Sequence, residues 1–373
     1  MKITIFAYSN YKLHLMHQNK PDIRDVLQGR IAEQLTPLID SDYIYLDLPY
    51  HSNIGDTLIW LGTDHFLRHL PYKCLGQHSV TTFDFRPLPP DAIILLHGGG
   101  NFGDLWRKHQ EFRLKVISTY TENRIIVLPQ TIFYASDDFL AKDVKELNQH
   151  PQLTICARDN QSAELLRKSG FDGQVLLLPD MAFCINREQL RAQKSVTSKE
   201  TMLLLRADKE APHGCAEKDI PQTNIDVKDW PNQRTNRHIA KNYLRKYPAS
   251  EADTLIQTQL YPLLVSEGVK FVSEYKMVYT TRLHVAILRL LLGLPVKIMD
   301  NSYGKNLNFY NTWLKESELI DIPNEEEQRT LNQVIWLHQK KQKTRKMIKK
   351  ACIGTAIITL LILLTCWLQS INL

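Results

Sequence analysis

The sequence has no Gly-Lys-Ser/Thr phosphate loop, no Cys-x-x-Cys pair and no charge excess spread along its length. Each absence removes a class of activity. Without the phosphate loop, nucleoside triphosphate hydrolysis is poorly supported. The six cysteines (Cys74, Cys156, Cys184, Cys215, Cys352 and Cys366) are scattered, and no Cys/His spacing suggests zinc. They are read as reduced, mostly buried thiols of a cytosolic compartment. MKITIFAYSNYK opens the chain with too short an apolar run for a secretory signal. The formal charge of +6 sits in one place, because KKQKTRKMIKK (Lys340 to Lys350) holds seven Lys/Arg and no acid. Outside it, 39 basic side chains face 40 acidic ones. The body therefore lacks the basic face that a nucleic-acid surface needs.

What is present is an alternation of short apolar runs with helical patterns. KITIFAYS, DYIYLDL, DAIILLHG, RIIVLPQ, LTICARD and QVLLLPD read as strands. Helical patterns lie between them, over Asp56 to Leu70, His109 to Thr121 and Gln161 to Ser169. A βα repeat implies a mostly parallel sheet with helices on both faces. A chain of 373 residues is long enough for about two such domains. A polar stretch near Asn186 to Glu200 reads as the linker, giving domains at 1–190 and 191–322. Lys209 to Arg237, rich in Pro and Asn, reads as a long surface loop. Two α/β halves facing one another make a cleft at the carboxyl ends of their strands.

The tail differs from the body. After a polar and basic linker, 323–350, the 18 residues ACIGTAIITLLILLTCWL carry no charge. A helix of that length spans about 27 Å, close to a bilayer's hydrocarbon thickness. The basic cluster before it fits a cytoplasmic stop. The expectation is a single transmembrane helix over 351–370 in the inner membrane, with the catalytic body in the cytoplasm.

Two stretches of the body share one pattern. HSNIGDTLIW begins at His51 and HGGGNFGDLW at His97. Each has a strand-like run, a histidine, the tetrad Asn-x-Gly-Asp, then leucine and tryptophan. Both read as a strand, a tight turn and a helix start. Asn53, Asp56, Asn101 and Asp104 suit turns and caps. Gly55 and Gly103 permit tight angles, and Gly98, Gly99 and Gly100 clear a path for close backbone approach. A helix start then offers N–H groups to an anion. Neither stretch is read as a dinucleotide fingerprint, so hydride transfer is not expected.

TRLH opens a strongly apolar helix in VYTTRLHVAILRLLLGLPV, with Thr280 or Thr281 as its cap. Arg282 and His284 then lie in the first turn, where cations oppose the helix dipole unless an anion sits between them. Arginine grips carboxylate or phosphate with paired bonds, and histidine moves protons near neutral pH. Arg158 is another cation at a strand's carboxyl end. His109, in WRKHQEFR, lies just past the second tetrad and can face the cleft.

In order and spacing these pieces resemble the polysaccharide pyruvyl transferase family. HSNIGDTLIW, HGGGNFGDLWRKHQEFR, the segment at Arg158, LPDMAF and TTRLHVAILRLLLGLPV carry the resemblance, from about His51 to Val296. It implies a GT-B-like fold of two Rossmann-like domains facing a cleft. It also implies transfer of a pyruvyl group from phosphoenolpyruvate to a pair of sugar hydroxyls, giving a cyclic ketal, in surface or capsular polysaccharide synthesis. With the tail, it suggests a lipid-linked acceptor. In such proteins the Arg and His of the R-L-H segment, here Arg282 and His284, serve the donor, as does Arg158. His284 or His109 is then expected to move a proton, and Asp56 or Asp104 to orient or deprotonate sugar hydroxyls. No cofactor or metal is demanded, since arginines can neutralise the leaving phosphate. Two other readings use the same features: a membrane-anchored GT-B glycosyltransferase taking a nucleotide sugar, and a non-catalytic polysaccharide-assembly subunit.

Overall fold

A computed structural model describes residues 21–206, 210 and 225–371. Within the last helix, side chains beyond residue 345 are described only for Met347, Ile348 and Thr359. The expected strand KITIFAYS lies outside the described residues.

Two parallel sheets organise the chain, and their strands are short and apolar. The first sheet holds β1 (Tyr43–Leu46), β2 (Cys74–His78), β3 (Ile93–Leu96), β4 (Gly99–Gly103), β5 (Ile125–Phe133), β6 (Leu153–Ala157) and β7 (Gln174–Leu177). Its order is β2-β1-β3-β5-β6-β7, with β4 added alongside β5. Ile93, Ile94, Leu95 and Leu96 of the central β3 are all fully buried. A strand covered on both faces needs this unbroken apolar run. The second sheet, in order β12-β11-β10-β8-β9, holds β8 (Lys199–Leu204), β9 (Ile225–Lys228), β10 (Tyr275–Thr280), β11 (Val296–Ile298) and β12 (Ile320–Asp321). One apolar core runs through both units, joining Leu58 and Ile59 of the first to Leu264 and Leu288 of the second.

Five helices position the site. In chain order they are α1 (Ile54–Leu67) after β1, α2 (Arg107–Thr119) after β4, α3 (Gln233–Lys246) after β9, α4 (Leu283–Leu291) after β10 and α5 (Lys305–Phe309) after β11. The stretch 209–237, expected as loop throughout, contributes β9 and the start of α3. Residues 209 and 211–224 of it lie outside the described residues.

The expected transmembrane helix is corrected. Residues 325–371 form a single 47-residue helix, α6, with three glutamates in its first turn. Its proximal part packs on the second sheet, with Leu331, Val334 and Ile335 against Leu203, Leu205 and Met299. Glu327 holds it there, accepting from Tyr279 Oη at 2.6 Å and Lys297 Nζ at 2.5 Å. The uncharged residues thus continue a polar, sheet-bound helix rather than standing as a separate span. Among the described residues, no helix is long and apolar enough to cross a membrane.

Candidate active site

A cavity of about 320 Å³ opens between the carboxyl ends of the two sheets. Residues after β1, β3, β8, β9 and β10 all reach it, as the topology of facing parallel sheets dictates.

The first tetrad is built as its sequence suggests. Asn53 caps α1, its Oδ1 accepting from Gly55 N at 3.1 Å. Its Nδ2 donates to Asp56 Oδ2 at 2.7 Å, and the His51 ring lies 3.3 Å from the same oxygen. Burial works against the Asp56 charge, yet the surrounding His51, His284 and His97 rings and Lys305 hold its pKa below the ordinary carboxylate value. Burial lowers the His51 pKa, partly opposed by Asp56. Gly55 is required by packing, because a methyl there would lie 2.7 Å from His284 Nδ1.

The second tetrad takes another form. No helix starts at it. Residues 99–103 form β4, and α2 begins only at Arg107, with Trp106 as its N-cap residue. Gly99 and Gly103 have φ of +125° and +114°, and a Cβ on Gly103 would stand 1.8 Å from the Phe133 carbonyl oxygen. Only glycine fits such a position. Asn101 reaches inward, its Oδ1 accepting from Arg113 Nη2 at 2.8 Å and Gln130 Nε2 at 3.0 Å. Asp104 turns away from the cavity. Its carboxylate accepts from Ala135 N at 2.8 Å and Ser136 N at 2.9 Å, so its role is to hold the chain after β5. The letters Gly98, Gly100 and Gly103 do fall at dinucleotide-fingerprint spacing. The strand built from them, with no helix start beside it, is not that turn.

Of the expected site residues, Asn53, Gly55, Asp56, Gly98, Gly100, Asn101, His109, Arg282 and His284 line the cavity. Gly99 stands just behind, 3.8 Å from Asp56 Oδ1 when given a Cβ. Gly103 and Asp104 are outside it. Arg158 is fully buried behind Gly100, with Nη1 on Asp180 Oδ2 at 2.5 Å and Nε on Thr131 Oγ1 at 2.9 Å. Its Nη2 has no hydrogen-bond partner and lies 3.2 Å from a Cβ built on Gly100. A buried guanidinium nitrogen left without an acceptor costs free energy, which an anion at Gly100 would recover.

Two histidines are each held by a carboxylate. His109 Nδ1 lies 2.6 Å from Asp47 Oδ1, and His284 Nε2 lies 3.3 Å from Asp180 Oδ2. A carboxylate on one ring nitrogen fixes the tautomer and orientation of the imidazole. Arg158 and His284 hold the buried Asp180 well below the carboxylate range, against its desolvation. On the other sheet, Arg282 is itself the N-cap residue of α4, where Thr280 or Thr281 was expected. Thr280 Oγ1 accepts from the Arg282 amide at 3.0 Å. The Arg282 guanidinium donates to both carboxylate oxygens of Asp229, at 2.6 and 2.8 Å.

Several lining residues carry no motif. Asp47 follows β1 in a left-handed conformation, φ +66°, which an aspartate tolerates better than most residues. The carboxyl end of a strand was its only sequence signal. Lys305, at the start of α5, has its Nζ 2.5 Å from a Cβ built on Gly100 and 3.5 Å from Glu210 Oε2. Burial lowers its pKa, opposed by Glu210. Glu210 also accepts from Arg206 at 2.5 Å. His97 is buried with its Nδ1 on Tyr45 Oη and its Nε2 unpartnered. Burial pushes its pKa down to about 4, so the ring is neutral. Among the described residues, no cluster of His, Cys, Asp or Glu is arranged to hold a metal ion, and Cys74, Cys156 and Cys184 are free thiols.

Comparison with known proteins agrees with this layout. The family model described as polysaccharide pyruvyl transferase matches residues 53–303. The chain is 32% identical over 302 residues to the Bacillus subtilis protein named "Putative pyruvyl transferase EpsO", covering 76% of this chain and 91% of that one. It is 28% identical over 288 residues to pyruvyl transferase 1 of Schizosaccharomyces pombe, covering 72% and 69%. A crystal structure of an uncharacterized Klebsiella pneumoniae protein superposes with a TM-score of 0.53 at 21% identity, over 80% of this chain and 98% of that one, a likeness of fold alone. From the matched span and these relatives, the chain belongs to the polysaccharide pyruvyl transferase family.

Proposed function

We propose that the chain transfers a pyruvyl group from phosphoenolpyruvate to two hydroxyls of a sugar, forming a cyclic ketal and releasing phosphate. The observation that carries this reading is the convergence, on one cavity, of cations from the second sheet, with the buried Arg158 of the first just behind Gly100, and two carboxylate-held histidines. The donor bears a carboxylate and a phosphate. Arg282, Lys305 and the open Nη2 of Arg158 are the groups to receive them, since charge-assisted bonds to anions are the strong ones.

Protonation of the donor's methylene carbon leaves its central carbon cation-like. A sugar hydroxyl attacks there and gives up its proton. Phosphate departs, and the neighbouring hydroxyl closes the ring and loses its own proton. The methylene gains one proton and the two hydroxyls lose two, one of which leaves on phosphate. His284 is the proton donor in this scheme. Asp56 and His109 receive the hydroxyl protons, Asp56 in its ionised form and His109 through the ring nitrogen that Asp47 leaves open. General acid and base groups of this kind each contribute a factor of about 10² to 10⁴. The free thiols fit a cytoplasmic setting for this chemistry. Lipid linkage of the acceptor rests on the resemblance together with the tail, and among the described residues no helix is long and apolar enough to cross a membrane.

The test is incubation of the purified protein with phosphoenolpyruvate and short saccharides bearing free hydroxyl pairs. Phosphate release matched by a product with the mass of a pyruvate ketal is expected. Release of a nucleotide from a sugar nucleotide, with phosphoenolpyruvate left intact, would replace this reading.

A further inference from the structure

The charges of the cavity are unevenly spent. At its closed end every cation is already held by a carboxylate, with Arg158 on Asp180, Arg282 on Asp229, and Arg206 and Lys305 on Glu210. These side chains are almost wholly buried. At the open end stands Arg237 on α3, exposed and lining the same cavity. Among the described residues it has no carboxylate within ion-pair distance. Its helix is fixed in place, since Asn232 and Asn236 each donate to a carboxylate oxygen of Glu267 at 2.9 Å. Ala240 of the same helix is buried against the core. Arg237 is therefore presented by an anchored element, and its charge acts on His51 beside Asp56. Trp106 lines the same cavity from the first sheet.

We infer that Arg237 is a specificity-determining residue for the acceptor, selecting saccharides that carry an anionic group on the same sugar ring as the reacting hydroxyls. The inference rests on the proposed reaction for the identity of the site, and adds the acceptor's charge. A doubly charged donor is served by the buried cations at the closed end. An unneutralised guanidinium at the entrance, beside the acid and histidine that face the acceptor, is left for a second anion. Phosphate and carboxylate share the chemistry arginine recognises. A sugar phosphate and a uronic acid are the two sources of that anion.

The experiment is equilibrium binding of N-acetylglucosamine 1-phosphate, a methyl glucuronoside and an uncharged methyl glucoside to the full chain, with phosphoenolpyruvate present at saturation. Wild-type protein is expected to bind at least one anionic probe about tenfold more tightly than the neutral one, the value of one charge-assisted bond. The tighter of the two anions identifies the source. Arg237→Gln should erase the preference, and Arg237→Lys should keep part of it. Because the side chain is exposed, both variants should keep the wild-type melting temperature. No preference in wild type, or a preference that survives in Arg237→Gln, overturns the inference. So does a weakening of phosphoenolpyruvate binding in Arg237→Gln with saccharide binding unchanged. Failure of the proposed reaction shows differently, as wild-type protein that binds the anionic saccharide yet releases no phosphate.

Discussion

Asn53 and Asn101 each open an Asn-x-Gly-Asp tetrad that is followed by leucine and tryptophan. Yet Asn53 caps a helix whose aspartate faces the cavity, while Asn101 feeds a buried guanidinium and its aspartate leaves the site. The difference comes from the path the backbone takes beyond each strand. After β1 a seven-residue loop ends at the Asn53 cap and α1 starts inside the tetrad, so the tetrad's hydrogen bonds are local. After β3, Gly99 and Gly103 let the backbone take positive φ and run beside β5 instead. The same Asn-x-Gly-Asp pattern therefore turns its aspartate into the cavity in one place and away from it in the other.

Exchanging the glycines gives the largest expected contrast. Gly103→Ala drives a methyl into the Phe133 carbonyl oxygen at a forbidden φ. It should destabilise the protein by about 3 kcal/mol or more, within the range of severe core changes, as read by urea unfolding. Gly55→Ala keeps helical angles but pushes on the His284 ring. Its main effect should be on turnover, about 10²-fold.

The asparagines separate less widely. Asn101→Ala leaves the buried Arg113 guanidinium without its 2.8 Å acceptor and should cost about 3 kcal/mol. Asn53→Ala removes a helix cap and should cost about 1 kcal/mol.

The histidines that precede the tetrads sharpen the contrast through pH. His97 stays neutral in the fold down to about pH 4, whereas an unfolded histidine binds a proton near 6.5. Between these values the unfolded state holds more protons. Stability that is full above pH 6.5 is therefore lost as pH falls, by about 2 kcal/mol from pH 7 to pH 5. His97→Gln should flatten that slope in urea midpoints measured at the two pH values. His51, with a side chain 38% exposed, should contribute less, and His51→Gln should leave most of the slope in place.

Local patterns were legible in the sequence, and long-range ones were not. The strands β1, β3, β6 and β7 stand inside the apolar runs read for them, β5 runs three residues past its own, and α1 starts at its asparagine cap. Arg282 and His284 were visible because cations at the start of an apolar helix call for an anion. β4 was illegible, since a run of glycines has no strand propensity and pairs only because β5 lies beside it. Asp47, Lys305 and Glu210 sit in no motif, and only folding brings them to the glycine turn. The tail misled because its uncharged run and basic flank say nothing, read locally, of the sheet-bound helix they continue.

The most direct test of the account is the initial rate of phosphate release from phosphoenolpyruvate, with a saccharide acceptor, for Asp56→Asn beside Asp104→Asn. Asp56→Asn should lose a factor of about 10² to 10⁴ while its unfolding midpoint stays near wild type. Asp104→Asn should retain most of the rate and lose stability instead. Equal losses of rate in the two variants, or a larger loss at Asp104, would contradict the assignment of the chemistry to the first tetrad.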